Sequence, residues 1–520
     1  MTSGQPAIIR VLTAYAATLA AYFFCATMTL AETVTYQNAE GSFAVTGRFI
    51  GFDGDNISLL TDGGLVTLAA ADLTCVGAPC PDLQNHVPVL RMIGAERMTG
   101  MLMPALLEGY ARDQGLTISE DDGRWLLVSD PDGPVISVAL TAAAPTVAFD
   151  AFVDHRADAL LSLRELRPAE VQAAHAAGLG RVTVARQARI LALDALVPVT
   201  TPGSAQRFTS LADVTAVLAG TSDVFDPYLP ADLSGLLEGF EDRFMTPFGL
   251  ALARPDTGYS DIDALRLAIE GAENGLTLLP FGEVGNTQPL KLSGPCGVVS
   301  QAELLSLKTE DYPLTFPVLL YLPQRRLHPR IDDFLDWLRS PSAHLVIRRV
   351  GLADLAAVPI PLAEQGERLA HAITNAGREV PLSELQRLVR LLEPRVRMSN
   401  TFRFEPGSTR LDGQSRSNVM QMAQSIRDGR FAGQELLFVG FSDGVGPAAA
   451  NRDLSSARAE TVRRAVTRAL GGRIPETVLI ETDAFGEALP MACDDAIWGQ
   501  QTNRRVELWV GPQARSNPEP

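Results

Sequence analysis

Asp443 closes an apolar stretch, and Arg458 follows fifteen residues later inside a helical pattern. A carboxylate and a guanidinium at the two ends of a loop have two chemical uses. They can bridge each other and pin the loop, a contact that contributes only about 0–1 kcal/mol when exposed. Or they can stand apart and hold a charged ligand, the guanidinium donating two parallel N–H bonds to an anion. Asn451 lies between them, near the start of the helical pattern. Nothing else in the chain has the spacing of a reaction centre. There is no serine nucleophile elbow, P-loop or His-Glu-x-x-His helix. His86, His155, His175, His328, His344 and His371 are scattered. No catalytic residue, metal site or cofactor is assigned, and the chain reads as a binding protein rather than an enzyme.

The elements around that pair must come from several domains, because 520 residues exceed one core. A net charge of −17 and a pI near 4.9 argue against nucleic acid or an anionic membrane surface as partner. Arg10 precedes the apolar run "VLTAYAATLAAYFFCATMTLA", and the small residues Thr29 and Ala31 suit signal-peptidase cleavage after Ala31. The run also has the length of an anchor helix, so an uncleaved tether stays open. After Ala31 the cysteines are Cys75, Cys80, Cys296 and Cys493. "CVGAPC" sets Cys75 and Cys80 close enough for a local disulfide in an oxidising compartment, with two free thiols as the alternative. Cys296 and Cys493 are far apart and receive no role.

The resulting division is a signal peptide (1–31), a small β-barrel or meander (32–84), an α/β domain (85–355), a helical connector (356–398), a compact last domain (399–512) and a disordered tail (513–520). In 32–84, short β-rich runs are separated by the turn sequences "DGD" and "DGG". In 85–355, strand and helix patterns alternate. "ARILALDALVPVTT" reads as a strand pair, and "SLADVTAVLAG" as a helix begun at Ser210 and stopped at Gly220. The connector helix "SELQRLVRLLEP" is expected to be capped by Ser383. The last domain reads β-α-β-α-β-β, with Val419, Met422, Ala423 and Ile426 on one helix face. On the helix after the loop, Leu454, Ala457, Thr461, Val462, Ala465, Val466, Ala469 and Leu470 are expected to form the apolar side.

"FEPGSTRL", "GFSDGVGPAAANRDLSSARAETV", "FGEALP" and "NRRVELWV" resemble the OmpA-like C-terminal domain, which binds peptidoglycan. The resemblance implies a ligand: the free end of diaminopimelate, an ammonium and a carboxylate on one carbon. Asp443 would accept from the ammonium and Arg458 would take the carboxylate. Asn451 would bond the ligand or hold the loop, and Arg504 would reach its rim. Arg505, also in the "NRR" signature, suits strand-end structure. The motif's second residue is usually His or Asn and is Phe441 here.

"IGAERMTGMLMPALLEGYA", "RADALLSLRELRPAE", "LALDALVPVTTPGSAQRFTSLADVTAVLAG" and "YPLTFPVLLYLPQRRLHPRIDDFLDWLRSPSAHLVIRRVGL" resemble the PstS-like phosphate-binding proteins of ABC transporters. That resemblance implies a two-lobed periplasmic-binding-protein-like domain. Its site would use hydroxyls, backbone N–H groups, one Arg and one Asp. Thr99, Asp158, Ser234 and Gly235 fall on its ligand positions, and Arg164 on a motif position. The match is thinned by Glu96, which repels anions, and by Leu236 in place of the motif Thr.

The fold class that emerges is multidomain α/β: signal peptide, small β domain, binding-protein-like domain and OmpA-like domain. Two functions remain. One is a periplasmic receptor for phosphate or another small anion, moored to peptidoglycan at the wall or outer membrane of a Gram-negative cell and served by an ABC transporter. The other is a structural wall-tethered protein whose degenerate binding domain contacts envelope proteins.

Overall fold

The computed structural model describes residues 33–77, 80–129, 133–230, 235–253, 258–405 and 408–513. The expected signal peptide, most of the tail and Ser234 lie outside them. Among the described residues no helix is long and apolar enough to cross a membrane. The described residues form two compact units, divided between His86 and Val87.

In the first unit, strands Thr33–Asn38, Ala44–Phe52, Asn56–Thr61 and Gly64–Ala69 form an antiparallel meander, and Leu73–Val76 returns to pair with the first. Val34, Tyr36, Ile57 and Leu59 make its core. At the "DGD" turn the Asp53 carboxylate accepts from the backbone N–H groups of Asp55 and Asn56, and Gly54 takes a φ of 98° that disfavours other residues. Cys75 and Cys80 are joined by a disulfide.

The second unit opens with a mixed sheet built around Ala188–Thr200. This is one continuous strand, not the pair expected. Its first part lies antiparallel to Thr315–Tyr321, and from Leu196 onward it pairs with Gly275–Pro280. The sequence shows no turn within it, only an unbroken buried run. A strand that changes partners midway joins two lobes. Helix Leu211–Leu218 begins at Ser210, whose hydroxyl accepts from Asp213 N, and Gly220 ends its turn with φ 68°.

The C-terminal part is a second sheet, in the order Pro359–Pro361, Val396–Arg403, Arg505–Pro512, Gln434–Phe441, Val478–Ala484. Because side chains alternate along a strand, its two faces bury different sets. Leu436, Phe438 and Leu508 meet helices Gly413–Arg427 and Ala448–Ala469. Leu437, Val439, Phe441 and Trp509 meet Ala372, Leu385, Leu388 and Leu392. These last four belong to helices Gly366–Thr374 and Leu382–Leu392. Residues 356–398 are therefore no connector: they supply an edge strand and the cover of one sheet face. Pro381, not Ser383, precedes the helix, and no side chain caps it. A short helix, Ile497–Asn503, also precedes the final strand.

Candidate functional site

Helix Ala448–Ala469 faces the sheet with Asn451, Ser455, Arg458, Ala459, Val462 and Val466. Leu454, expected on the apolar side, is exposed. The buried stripe keeps its helical period but turns polar near the loop, which an apolar pattern cannot reveal. The helix lies very close to strand Gln434–Phe441. A Cβ on Gly440 would fall 2.0 Å from Ser455 O, so only glycine fits there. That approach brings Arg458, one turn on from Ser455, over the strand end where Asp443 sits.

Arg458 is 3% exposed, yet its Nε and Nη1 have no hydrogen-bond partner. Its guanidinium lies 5.4 Å from the centre of the Phe404 ring. Burial lowers its pKa, Arg504 lowers it further and Asp443 opposes, with the result at about 10. Among the described residues Arg458 forms no ion pair. Asp443 pairs instead with Arg504, whose Nη1 lies 3.3 Å from Asp443 Oδ2, and it accepts from Val445 N at 3.1 Å. The bridge between Asp443 and Arg458 that would merely pin the loop is not formed.

Other acids surround this loop. Asn451 Nδ2 donates to Glu487 Oε2 at 2.6 Å, so Asn451 holds the loop wall. Asp494 Oδ2 accepts from Gly444 N at 2.7 Å, and Glu379 Oε2 accepts from Ala448 N at 3.3 Å. Burial raises the pKa of Glu487, Asn451 opposes, and Glu379, Asp494 and Asp443 raise it further. The loop thus has an acidic side at Asp443, Glu487 and Asp494 and a basic side at Arg458 and Arg504. Such a dipole suits one small group carrying both charges. Glu379, Glu487 and Asp494 follow no helical or strand period that would single them out in the sequence. "FGEALP" was the only signal, and it pointed to a motif rather than to a role for its glutamate.

Phe441 is fully buried, stacked near Phe485 and under the Arg505 guanidinium at 4.4 Å. Arg505 is also fully buried and donates to Glu507 Oε1, Asn503 O and Leu489 O. Burial lowers its pKa to about 9, with Glu507 opposing.

The candidate solute residues of the α/β domain lie in different surroundings. Thr99 sits in a wide helical turn, Arg97–Leu102, and its hydroxyl donates to Ala95 O and Glu96 O. Asp158 accepts from Arg91 N, Nε and Nη2 and from Arg325. Burial alone would push its carboxyl up, but Arg91 and Arg325 hold it below the usual value. Gly235 begins helix Gly235–Phe240 and lines a crevice with Ala95, Phe149, Leu163, Arg164 and Leu166. Arg164, 3% exposed, donates to Glu238, Glu165 O and both oxygens of Glu170 at 2.7–3.0 Å. Arg167 pairs with Asp242 at 2.8 Å. The structure brings Gly235 and Arg164 to one crevice, but its own carboxylates already neutralise the cation. Thr99 and Asp158 are occupied by internal bonds. In this arrangement the Thr99 hydroxyl and the Asp158 carboxylate both face internal partners.

Residues 403–504 match the OmpA family. Solved structures similar to this chain include an ABC-type phosphate transport receptor from Vibrio cholerae, 15% identical with a TM-score of 0.39 over 51% of this chain and 98% of that one. PstS from Borrelia burgdorferi is 11% identical with a TM-score of 0.35, covering 51% of this chain and 98% of its own. The peptidoglycan-associated lipoprotein from Burkholderia pseudomallei is 26% identical with a TM-score of 0.19, covering 21% of this chain and 88% of its own. No curated protein matches the chain.

Proposed function

We propose that the C-terminal domain attaches this protein to peptidoglycan by binding the zwitterionic end of diaminopimelate in the stem peptide. One observation carries this reading: Arg458 is a buried guanidinium that forms no ion pair among the described residues and leaves Nε and Nη1 unmatched. A buried charge left unpaired is costly, and a purely structural arginine finds partners. A ligand carboxylate would supply them, while Asp443, exchanging its contact with Arg504 for the ligand, accepts the neighbouring ammonium. Two charge-assisted contacts give about 3–6 kcal/mol before ordering costs. A single site is therefore weak, and the polymer's many copies at high local concentration would retain the protein.

The α/β domain supports a second reading, that of a closed scaffold rather than a phosphate receptor. Phosphate needs uncommitted donors, and Arg164 is already neutralised by Glu170 and Glu238. Of the two functions the sequence leaves open, this favours the wall-tethered structural protein. The test is sedimentation with purified sacculi. Wild type is expected in the pellet and Asp443→Ala and Arg458→Ala in the supernatant. Equal retention of all three would overturn the assignment.

A further inference from the structure

The loop that presents Asp443 is braced from outside its own domain. Cys296 and Cys493 form a disulfide, and Cys296 N also donates to Cys493 Sγ at 3.2 Å. Cys296 sits between strands Lys291–Ser293 and Val299–Ser300 of the α/β domain. Its partner lies next to Asp494, the acid that holds Gly444 N beside Asp443. The path from the α/β domain to the ligand loop is thus a disulfide, one peptide bond and one hydrogen bond.

The surroundings allow little slack. A Cβ on Gly294 would fall 2.5 Å from Cys493 Sγ, and one on Gly499 would fall 1.8 Å from Cys493 O. Asn503 is fully buried and accepts from Met491 N and Ala492 N. It donates to Ala492 O and to Asp494 Oδ1, the second oxygen of the carboxylate that holds Gly444. Gln500 Nε2 donates to Asp494 O, and Trp498 packs against the core of the α/β domain. Asp494 therefore has both carboxylate oxygens and its carbonyl engaged, on a segment fixed covalently on one side.

We propose that the Cys296–Cys493 disulfide and Asp494 are positioning groups for the peptidoglycan site, so that the α/β domain completes that site by holding its acidic wall in place. This rests on the Asp443 loop being the binding site. The physical reason is pre-organisation: a loop already held in its bound geometry has less freedom to lose on binding. Reduction transfers two electrons and two protons to the sulfur pair, giving two thiols, and an added dithiol or phosphine supplies the electrons. It frees the wall without removing any group that touches the ligand.

The test is calorimetry of the full chain with a diaminopimelate-containing muramyl tripeptide. Cys296→Ser/Cys493→Ser and Asp494→Ala are each expected to weaken binding about tenfold, the scale of a lost pre-organised state. Combined, they are expected to weaken it no further, because they act on one path. Reducing the wild type should reproduce the loss, and re-oxidation should restore it. Cys75→Ser/Cys80→Ser should bind like wild type and remain sensitive to reduction. Unchanged affinity without the disulfide, or losses that multiply in the combined variant, would overturn the proposal. So would unfolding on reduction, followed by circular dichroism, since the bond would then hold the fold and not the loop. Failure of the underlying reading looks different: the oxidised wild type and Asp443→Ala would bind the tripeptide equally.

Discussion

Arg164 and Arg458 are equally buried, and they illustrate opposite uses of a guanidinium. Around Arg164 the protein supplies two carboxylates and a carbonyl, and these hold its pKa above the usual value against the effect of burial. Around Arg458 it supplies one aromatic ring, a distant acid and another arginine, and the pKa falls. A saturated charge closes a crevice, and an unsaturated one leaves a place for something else. Burial alone does not distinguish them; the partner count does.

The largest contrast should come from Arg164→Met. It strands Glu170 without its cation and leaves Glu238 only the longer contact with Arg167 at 3.4 Å, and removing one partner of a buried pair costs about 3–5 kcal/mol. The urea midpoint of the full chain should fall while sacculus retention stays at the wild-type level. Lost retention would mean that the two regions are not separable. Next in size is Asp443→Asn, which keeps the shape of the site and removes the charge facing the ammonium. A charge-assisted contact is worth about 1.5–3 kcal/mol, so tripeptide affinity should drop by roughly 10–150-fold in calorimetry.

A third expectation concerns Glu310, at the junction of the α/β and C-terminal domains. Arg403 Nη2 donates to Glu310 O at 2.6 Å, and Arg397 Nη1 bonds Asp311 at 2.9 Å. Burial raises the Glu310 pKa to about 8; Asp412 and Asp311 add to the rise, while Arg403 and Arg243 oppose it. The folded state keeps this proton between the ordinary 4.5 and about 8, where the unfolded chain has released it. Its contribution to stability is full below that window and is lost as pH rises through it. Melting temperatures should decline across the window, and Glu310→Gln should flatten the decline. The smallest expected signal is phosphate added to the full chain. No heat should appear, and a clear exotherm would show that the crevice opens and exchanges Glu238 for the anion.

The overall plan was legible because it rests on local patterns. The strands between Thr33 and Val76, the Ser210 cap and the Val419–Ile426 face follow from turn residues and periodicity. Asp443 and Arg458 stood out through motif spacing. The helix face beyond Asn451 departs from its apolar pattern because a site buries polar residues where a core would bury apolar ones. Helix Leu382–Leu392 looked like a connector because its partners, Leu437 and Trp509, lie far along the chain. Counting points to the Cys296–Cys493 bond, since the four cysteines after Ala31, less one local pair, leave two. The sequence places Arg504 only at the ligand rim, and its contact with Asp443 arises from the meeting of two strand ends.

The most direct measurement is tripeptide affinity of Arg458→Met, taken on protein whose unfolding midpoint is also known. Binding should fall by about 100-fold or more, while the midpoint stays level or rises, because an unpaired buried charge has been replaced by an apolar chain. Affinity equal to wild type, or a sharp loss of stability, would contradict the claim that this charge is kept for a ligand.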